Sequence, residues 1–272
     1  MRVPVEGLVQ VAGNAVLDVL VRSAAPRAPA ADVWSDNVQI VEKPVDAVLG
    51  GCGAATAYVL GGLGQQVALN ANVGQDAWGD MLRAWLQSVE VDVAGLKAAR
   101  TAVHVIALDA AGRRQSHYYR GEKVDWRASL ELRVPQVFFA AGYGSVDSGD
   151  AVDLHAVFST LRRRGALVVF DVSPWFAGRV DVGQMHALWR DVDCLIGTEE
   201  ELLAWQDADS VEDLAERVLD RGLEHVVVKR GAEGAFFAAR DGEQGKVAVR
   251  CIPADNSVGA GDCFNGRLLY GL

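Results

Sequence analysis

The sequence predicts an α/β fold, with a central, mainly parallel β-sheet covered by helices on both faces and a small additional β-sheet. Three observations predict it. Short apolar runs alternate with helix-like segments through most of the chain, the order in which β-α units build a parallel sheet with both faces covered. Two stretches, at about 19–48 and 102–120, break that rhythm with β-type patterns and no helix between them. With 272 residues, half of them hydrophobic, the chain can bury one large core, so a single domain spanning 1–272 is expected.

The element assignments follow in order. Central strands are expected at Leu8-Val11, Val67-Asn72, Val137-Ala140, Leu167-Asp171, Cys194-Ile196 and Val226-Lys229. Helices are expected at Gly53-Leu63, Trp78-Ser88, Ala151-Arg164 and Val211-Arg221, the last two with good apolar spacing. Gly165 and Gly222 follow two of these where a left-handed C-terminal residue is wanted. Val103-Leu108 and Gln115-Arg120, joined by the turn Asp109-Gly112, read as a hairpin. The Ala/Pro-rich stretch Ala24-Ala31 reads as a loop.

Charge and cysteine usage narrow the class. The net charge of −10 repels a nucleic-acid backbone, and the one basic run, Arg162-Arg163-Arg164, reads as a solvated helix end. No nucleic-acid partner is expected. The four cysteines form no C-x-x-C pair and suit a reduced, cytoplasmic protein. No apolar run reaches the ~18 residues of a membrane span, so no membrane partner is expected.

Chemistry concentrates near the C-terminus. In Gly259-Ala260-Gly261-Asp262 a glycine-rich turn feeds a helix whose first N–H groups, unpaired by construction, form an anion cradle. Asp262 there is either a general base beside a transferred phosphoryl group or a carboxylate that complements the helix dipole. The residues alone leave both readings open. By themselves Asp18 reads as a turn or helix-cap residue and Glu199-Glu200-Glu201 as an acidic helix start. Val226-Lys229 followed by Gly231 and Gly234 reads by itself as a strand and a hairpin turn. G-x-G-x-x-G after a strand, G-K-[ST] and G-x-S-x-G are all absent, which argues against a dinucleotide-binding dehydrogenase, a P-loop enzyme and a serine hydrolase.

Asn256-Ser257-x-Gly259-Ala260-Gly261-Asp262 closely resembles the second signature of the ribokinase-like (PfkB) carbohydrate kinases, usually D-T-x-G-A-G-D. Gly50-Gly51-Cys52-Gly53 resembles the first signature, with Ala55 where a sugar-contacting Asn is usual. Further matches are Gly13-Asn14 through Asp18, Val73-Gly74-x-Asp76, and Glu199-Glu200-Glu201 against N-x-x-E, with Gly197 in place of the Asn. The resemblance implies ATP-dependent phosphorylation of a hydroxyl on a sugar or polyol, with ATP and Mg²⁺ as cofactors. It implies Asp262 as base, and Gly259, Ala260 and Gly261 as the anion hole. Asp18, Gly50, Gly51 and Arg120 would bind the substrate; Arg120 stands in Tyr118-Tyr119-Arg120-Gly121, similar to lid segments of some sugar-acid kinases. Lys229, Gly231, Asn256 and Ser257 would meet the nucleotide, and Glu200 would support the metal. The two β stretches would form a lid, through which a homodimer is expected. Family members continue with further helices after the one that ends at Leu272, implying either a further C-terminal part or an open nucleotide site. A catalytically weakened sugar- or nucleoside-binding regulatory protein is the alternative, suggested by Ala55, Gly197 and Asn256.

Overall fold

The computed structural model describes residues 7–22, 41, 43–109, 113–142, 146–173, 175–250 and 258–272. In chain order they form β1 (Leu8–Gly13), β2 (Val16–Arg22), β3 (Asp46–Gly50), α1 (Cys52–Gly62), β4 (Gln66–Gly74), α2 (Ala77–Ser88) and β5 (Leu96–Ala99). Next come β6 (Ala102–Leu108), β7 (Arg114–Tyr119), β8 (Val137–Ala141), α3 (Ser148–Arg163), β9 (Leu167–Asp171), α4 (Val182–Trp189) and β10 (Cys194–Thr198). The rest are α5 (Glu199–Leu203), α6 (Val211–Leu219), β11 (His225–Lys229), β12 (Ala235–Ala239), β13 (Gln244–Val247) and α7 (Ala260–Tyr270).

Nine strands make one sheet in the order β13-β12-β11-β10-β9-β8-β1-β4-β5. The seven strands from β11 to β5 are parallel, and β12 and β13 add an antiparallel edge. Every predicted central strand is among them. The apolar runs are explained by their two faces: Phe138, Ala140, Val168 and Phe170 enter one core layer with α3, while Val137, Phe139 and Val169 enter the other with α1. All four predicted helices form, and Gly165 takes the expected left-handed φ of 88°. Leu96–Ala99 extends the sheet beside β4. Among the described residues, no helix is long and apolar enough to cross a membrane.

The second sheet has four strands, β3-β2-β6-β7, with β2 and β6 parallel and the other pairs antiparallel. The hairpin expected at 103–120 is β6 paired with β7, Val103 opposite Tyr119 and Leu108 opposite Arg114. Only Asn14 and Ala15 separate β1 in the large sheet from β2 in the small one, so the small sheet is carried directly on a central strand. On its return the chain is tied down by buried amides. Gln10 donates to the Ser129 carbonyl at 3.1 Å, and Asn70 donates to Asp125 O and Ser129 Oγ, both at 2.8 Å. Asp76 of the Val73-Gly74-x-Asp76 segment caps α2 through Gly79 N and accepts from Thr101, an architectural role as expected.

Helix α7 lies against α1 because Gly266 has no side chain: a Cβ there would stand 2.6 Å from Val59 Cγ1 and 2.8 Å from Val59 Cβ. Gly266→Ala should therefore lower stability by about 1–3 kcal/mol through overpacking, read from the urea midpoint at unchanged slope.

Candidate active site

In a parallel sheet, ligands gather outside the carboxyl ends of the strands, at the point where the strand order reverses. Here the order reverses between β1 and β8, which are neighbours. A cleft of about 570 Å³ opens there, lined by Asn14 after β1, Gly142 after β8, Asp171 and Ser173 at β9, Thr198 at β10 and Lys229 at β11. The small sheet closes one side with Asp18, His104, Arg114 and Tyr118, and the N-terminus of α7 closes another with Gly259 through Asp262.

Two glycine-rich helix starts face this region, and their amides differ. At α1, the Asn14 carbonyl accepts from Gly53 N and Ala54 N at 3.2 and 3.1 Å, and Asn14 Oδ1 accepts from Cys52 N at 3.0 Å. Its amides are therefore already satisfied. At α7, Gly259 enters with φ 80°, and the first helical amide returning to it is that of Cys263. The amides of Ala260, Gly261 and Asp262 thus face the cleft as unsatisfied donors of the first turn, and a Cβ at Gly259 or Gly261 would meet nothing within 4 Å. The anion cradle is at α7.

Asp262 stands half-buried at the cleft wall. Burial, with Asp171 and Asp18 nearby and Lys229 opposing, pushes its carboxyl up to about 6. Beneath it, Lys229 donates to both oxygens of Asp171 at 3.1 and 3.0 Å, and Asn265, one turn after Asp262 on α7, donates to Asp171 at 2.5 Å. Burial alone would lower the Lys229 ammonium, but Asp171 and Glu201 hold it above its usual value. Asp18 is buried on β2, and burial, partly countered by Arg114, raises its carboxyl to about 6.

Of the residues singled out from the sequence, Asp18, Gly51, Lys229, Gly231, Gly259, Ala260, Gly261 and Asp262 all line the cleft. Asn256 and Ser257 lie outside the described residues. Gly50 does not line it; a Cβ there would fall 2.2 Å from Asp18 Oδ2, so its smallness leaves room for that carboxylate. Two further expected residues do not line the cleft. Arg120 is one, and the arginine that β7 places there is Arg114. Glu200 is the other; Glu201 lines the cleft, because Thr198 and Glu201 form a capping box that turns this carboxylate inward, with Thr198 N donating to it at 2.7 Å. Burial, then Asp171, raises the Glu201 carboxyl. The T-x-x-E spacing of that box was readable in the sequence and places the motif one residue later. Asp171 was readable as an acid at the carboxyl end of a central strand. Asn14, His104 and Asn265 carried no comparable local signal.

Among the described residues no cluster of three or more His, Cys, Asp or Glu side chains is arranged to hold a metal. The cleft does offer two carboxylates, Asp171 and Glu201. That donor set fits a magnesium ion, which keeps several waters and takes one or two carboxylates together with substrate phosphates.

Comparison with known proteins agrees with this geometry. The sequence profile of the pfkB family of carbohydrate kinases matches residues 15–272. Fructokinase-1 of Zea mays is 31% identical over 235 residues, covering 81% of this chain and 72% of that one. The fold is shared by a ribokinase of Arabidopsis thaliana complexed with ribose and ATP, at TM-score 0.71 and 19% identity over 98% of this chain and 84% of that one. A ribokinase-II-type protein of E. coli in complex with ATP and Mg²⁺ superposes with TM-score 0.71 at 18% identity, covering 95% and 83%.

The raised Asp262 carboxyl has a stability consequence. Its folded value, about 6, exceeds the unfolded 3.8, so the native state binds the extra proton between those values, and stability from this group is lost as pH rises through 6. Asp262→Asn should consequently be the more stable protein at pH 7, by on the order of 1 kcal/mol, with the advantage gone at pH 4; thermal melts at both pH values check this.

Proposed function

The chain belongs to the pfkB family of carbohydrate kinases and is a sugar kinase, and we propose that it transfers the γ-phosphoryl group of ATP to a sugar hydroxyl held between Asp18 and Asp262. The observation that carries this reading is the convergence, in one cleft, of a raised, half-buried carboxylate with the free first-turn amides of α7. A base must lie within reach of the hydroxyl it deprotonates, and donors must face the charge that develops on the transferred group. Asp262 supplies the first, and the amides of Ala260, Gly261 and Asp262 the second. The complexes of the fold neighbours with ATP and with ribose support the ligand classes, and the fructokinase relatives make D-fructose the first acceptor to test.

The remaining residues act around that pair. Asp18 accepts from substrate hydroxyls, and the small sheet that carries it serves as a lid. Lys229, already protonated and held by Asp171, offers its charge to the phosphates without collapsing onto Asp262. Asp171 and Glu201 would hold Mg²⁺ at the nucleotide end. When bound, the ion neutralises charge on the phosphates.

Asp262→Asn should reduce kcat by roughly 10²–10⁴ while leaving nucleotide affinity nearly unchanged, measured by coupled ADP release and by titration calorimetry. In the unaltered enzyme kcat should rise with pH through about 6 as Asp262 ionises, and a kcat unchanged by the substitution removes Asp262 from this role.

The register set by the capping box gives a separate expectation. Glu201→Gln should raise the Mg²⁺ concentration needed for half-maximal rate by about tenfold, whereas Glu200→Gln should leave it within twofold. ADP formation across a panel of sugars and nucleosides tests the whole reading. Should no acceptor release ADP while a sugar still raises the melting temperature, binding without transfer replaces it.

A further inference from the structure

We propose that His104 is a positioning residue, holding the Asp18 carboxylate for the acceptor substrate through a chain of contacts from Arg114 through the imidazole to Asp18; this rests on the sugar-kinase reading of the cleft. Strand register brings the three together. Asp18 on β2 is the partner of His104 on β6, and His104 is the partner of Tyr118 on β7, so these side chains form one row across the small sheet. Arg114, four residues before Tyr118, shares that face by the two-residue period of a strand.

The contacts fix the imidazole proton. Arg114 Nη2 lies 3.2 Å from His104 Nε2. A guanidinium can only donate, so Nε2 accepts and the ring proton belongs on Nδ1. Nδ1 in turn lies 3.5 Å from Asp18 Oδ1, so a proton on Nδ1 is the ring proton nearest that carboxylate. The Tyr118 ring supports the imidazole at 5.1 Å between centroids, and its hydroxyl accepts from Asn14 Nδ2 at 3.2 Å. From below, the bare Cα of Gly50 leaves space that only the carboxylate fills. Asp18 is therefore fixed on two sides. The imidazole faces Oδ1, Oδ2 lies against Gly50, and the carboxylate as a whole borders the cleft.

Among the described residues, the charged and titratable groups facing His104 are Asp18 from β2 and Arg114 and Tyr118 from β7, with Asp262 of α7 on the same cleft; β3 contributes the non-titrating Val48 opposite Asp18, and Gly50. Burial, then Arg114, lowers the imidazole below its usual value, which keeps it neutral at pH 7. An imidazolium would lose the acceptor that Arg114 needs.

Two measurements decide the matter. Long-range ¹H–¹⁵N spectra of the full chain with ¹⁵N-labelled histidine, with His104 assigned by its loss in His104→Asn, should show a neutral ring protonated on Nδ1 at pH 7. Arg114→Gln should then mix in the Nε2–H tautomer and raise the ring's titration midpoint. An Nε2–H ring or an imidazolium at pH 7 in the unaltered chain overturns the relay. In kinetics with D-fructose, His104→Leu should raise KM about tenfold with kcat within threefold, and His104→Asn, which restores an N–H donor near the Nδ1 position, should recover most of the loss. Equal KM values in both variants and the unaltered enzyme overturn the positioning role. If D-fructose is not turned over even by the unaltered enzyme, that failure falls on the proposed function, and the spectra still decide the relay.

Discussion

The arrangement depends on one backbone contact, the approach of the β1–β2 junction to the start of α1. A Cβ at Gly53 would lie 2.6 Å from the Gly13 carbonyl carbon, and one at Gly51, with φ 84°, would lie 2.6 Å from Asn14 O. Only glycines allow that approach, and through it the Asn14 carbonyl reaches the amides of Gly53 and Ala54. The consequences run outward in both directions. The junction fixes where β2 leaves the large sheet, and so where Asp18 stands. Helix α1 in turn seats α7 through Val59 against Gly266, and so fixes Asp262. The two carboxylates sit on different elements, yet both positions are referred to the same few atoms.

That contact also explains why the two glycine-rich helix starts differ. At α1 the dipole end is occupied by a carbonyl and a side-chain amide of the same chain, so it serves the architecture. At α7 no such neighbour intervenes among the described residues, and the free amides meet acids that are costly to keep ionised together. Asp18, Asp171, Glu201 and Asp262 share the cleft with the cations of Lys229 and Arg114; burial raises Asp18, Glu201 and Asp262, and for the last two Asp171 adds to it. Such strain reduces stability, and it is characteristic of sites where charged groups are held ready for a ligand rather than for folding.

The large sheet was legible because its signal is local: a buried parallel strand is a short apolar run, and each predicted run became a strand. The anion cradle was legible for the same reason, since glycines and a following helix lie within a few residues. What escaped was set by register and by distance in the chain. Arg120 and Arg114 are both basic and an even number of residues apart, so alternation along a strand cannot separate them; Arg114 opens β7 and lines the cleft, whereas Arg120 lies beyond the strand's end at Tyr119. Glu200 and Glu201 differ by one position, which on a helix is about 100°. The cap formed by Thr198 selects between them. His104 and Asn265 gain meaning only from partners 86 and 94 residues away, Asp18 and Asp171.

These long-range contacts bear on the departure at Ala55. Where the family resemblance implies an Asn reaching the sugar from α1, this chain has a buried methyl group, and that wall of the site lacks an amide. The small sheet lines the opposite side: Arg114 brings guanidinium N–H donors to the cleft, His104 backs the Asp18 acceptor, and Asn14 joins Tyr118 to the junction. On the proposed reading, polar recognition of the acceptor has moved from a rigid helix on the large sheet to strands joined to it by a two-residue connection. Recognition and closure of the small sheet then become one event, since the donors that read the sugar travel with the strands that cover it. A substrate able to satisfy them favours the closed form by the difference in its affinity for the two positions, and one that cannot leaves the site open to water.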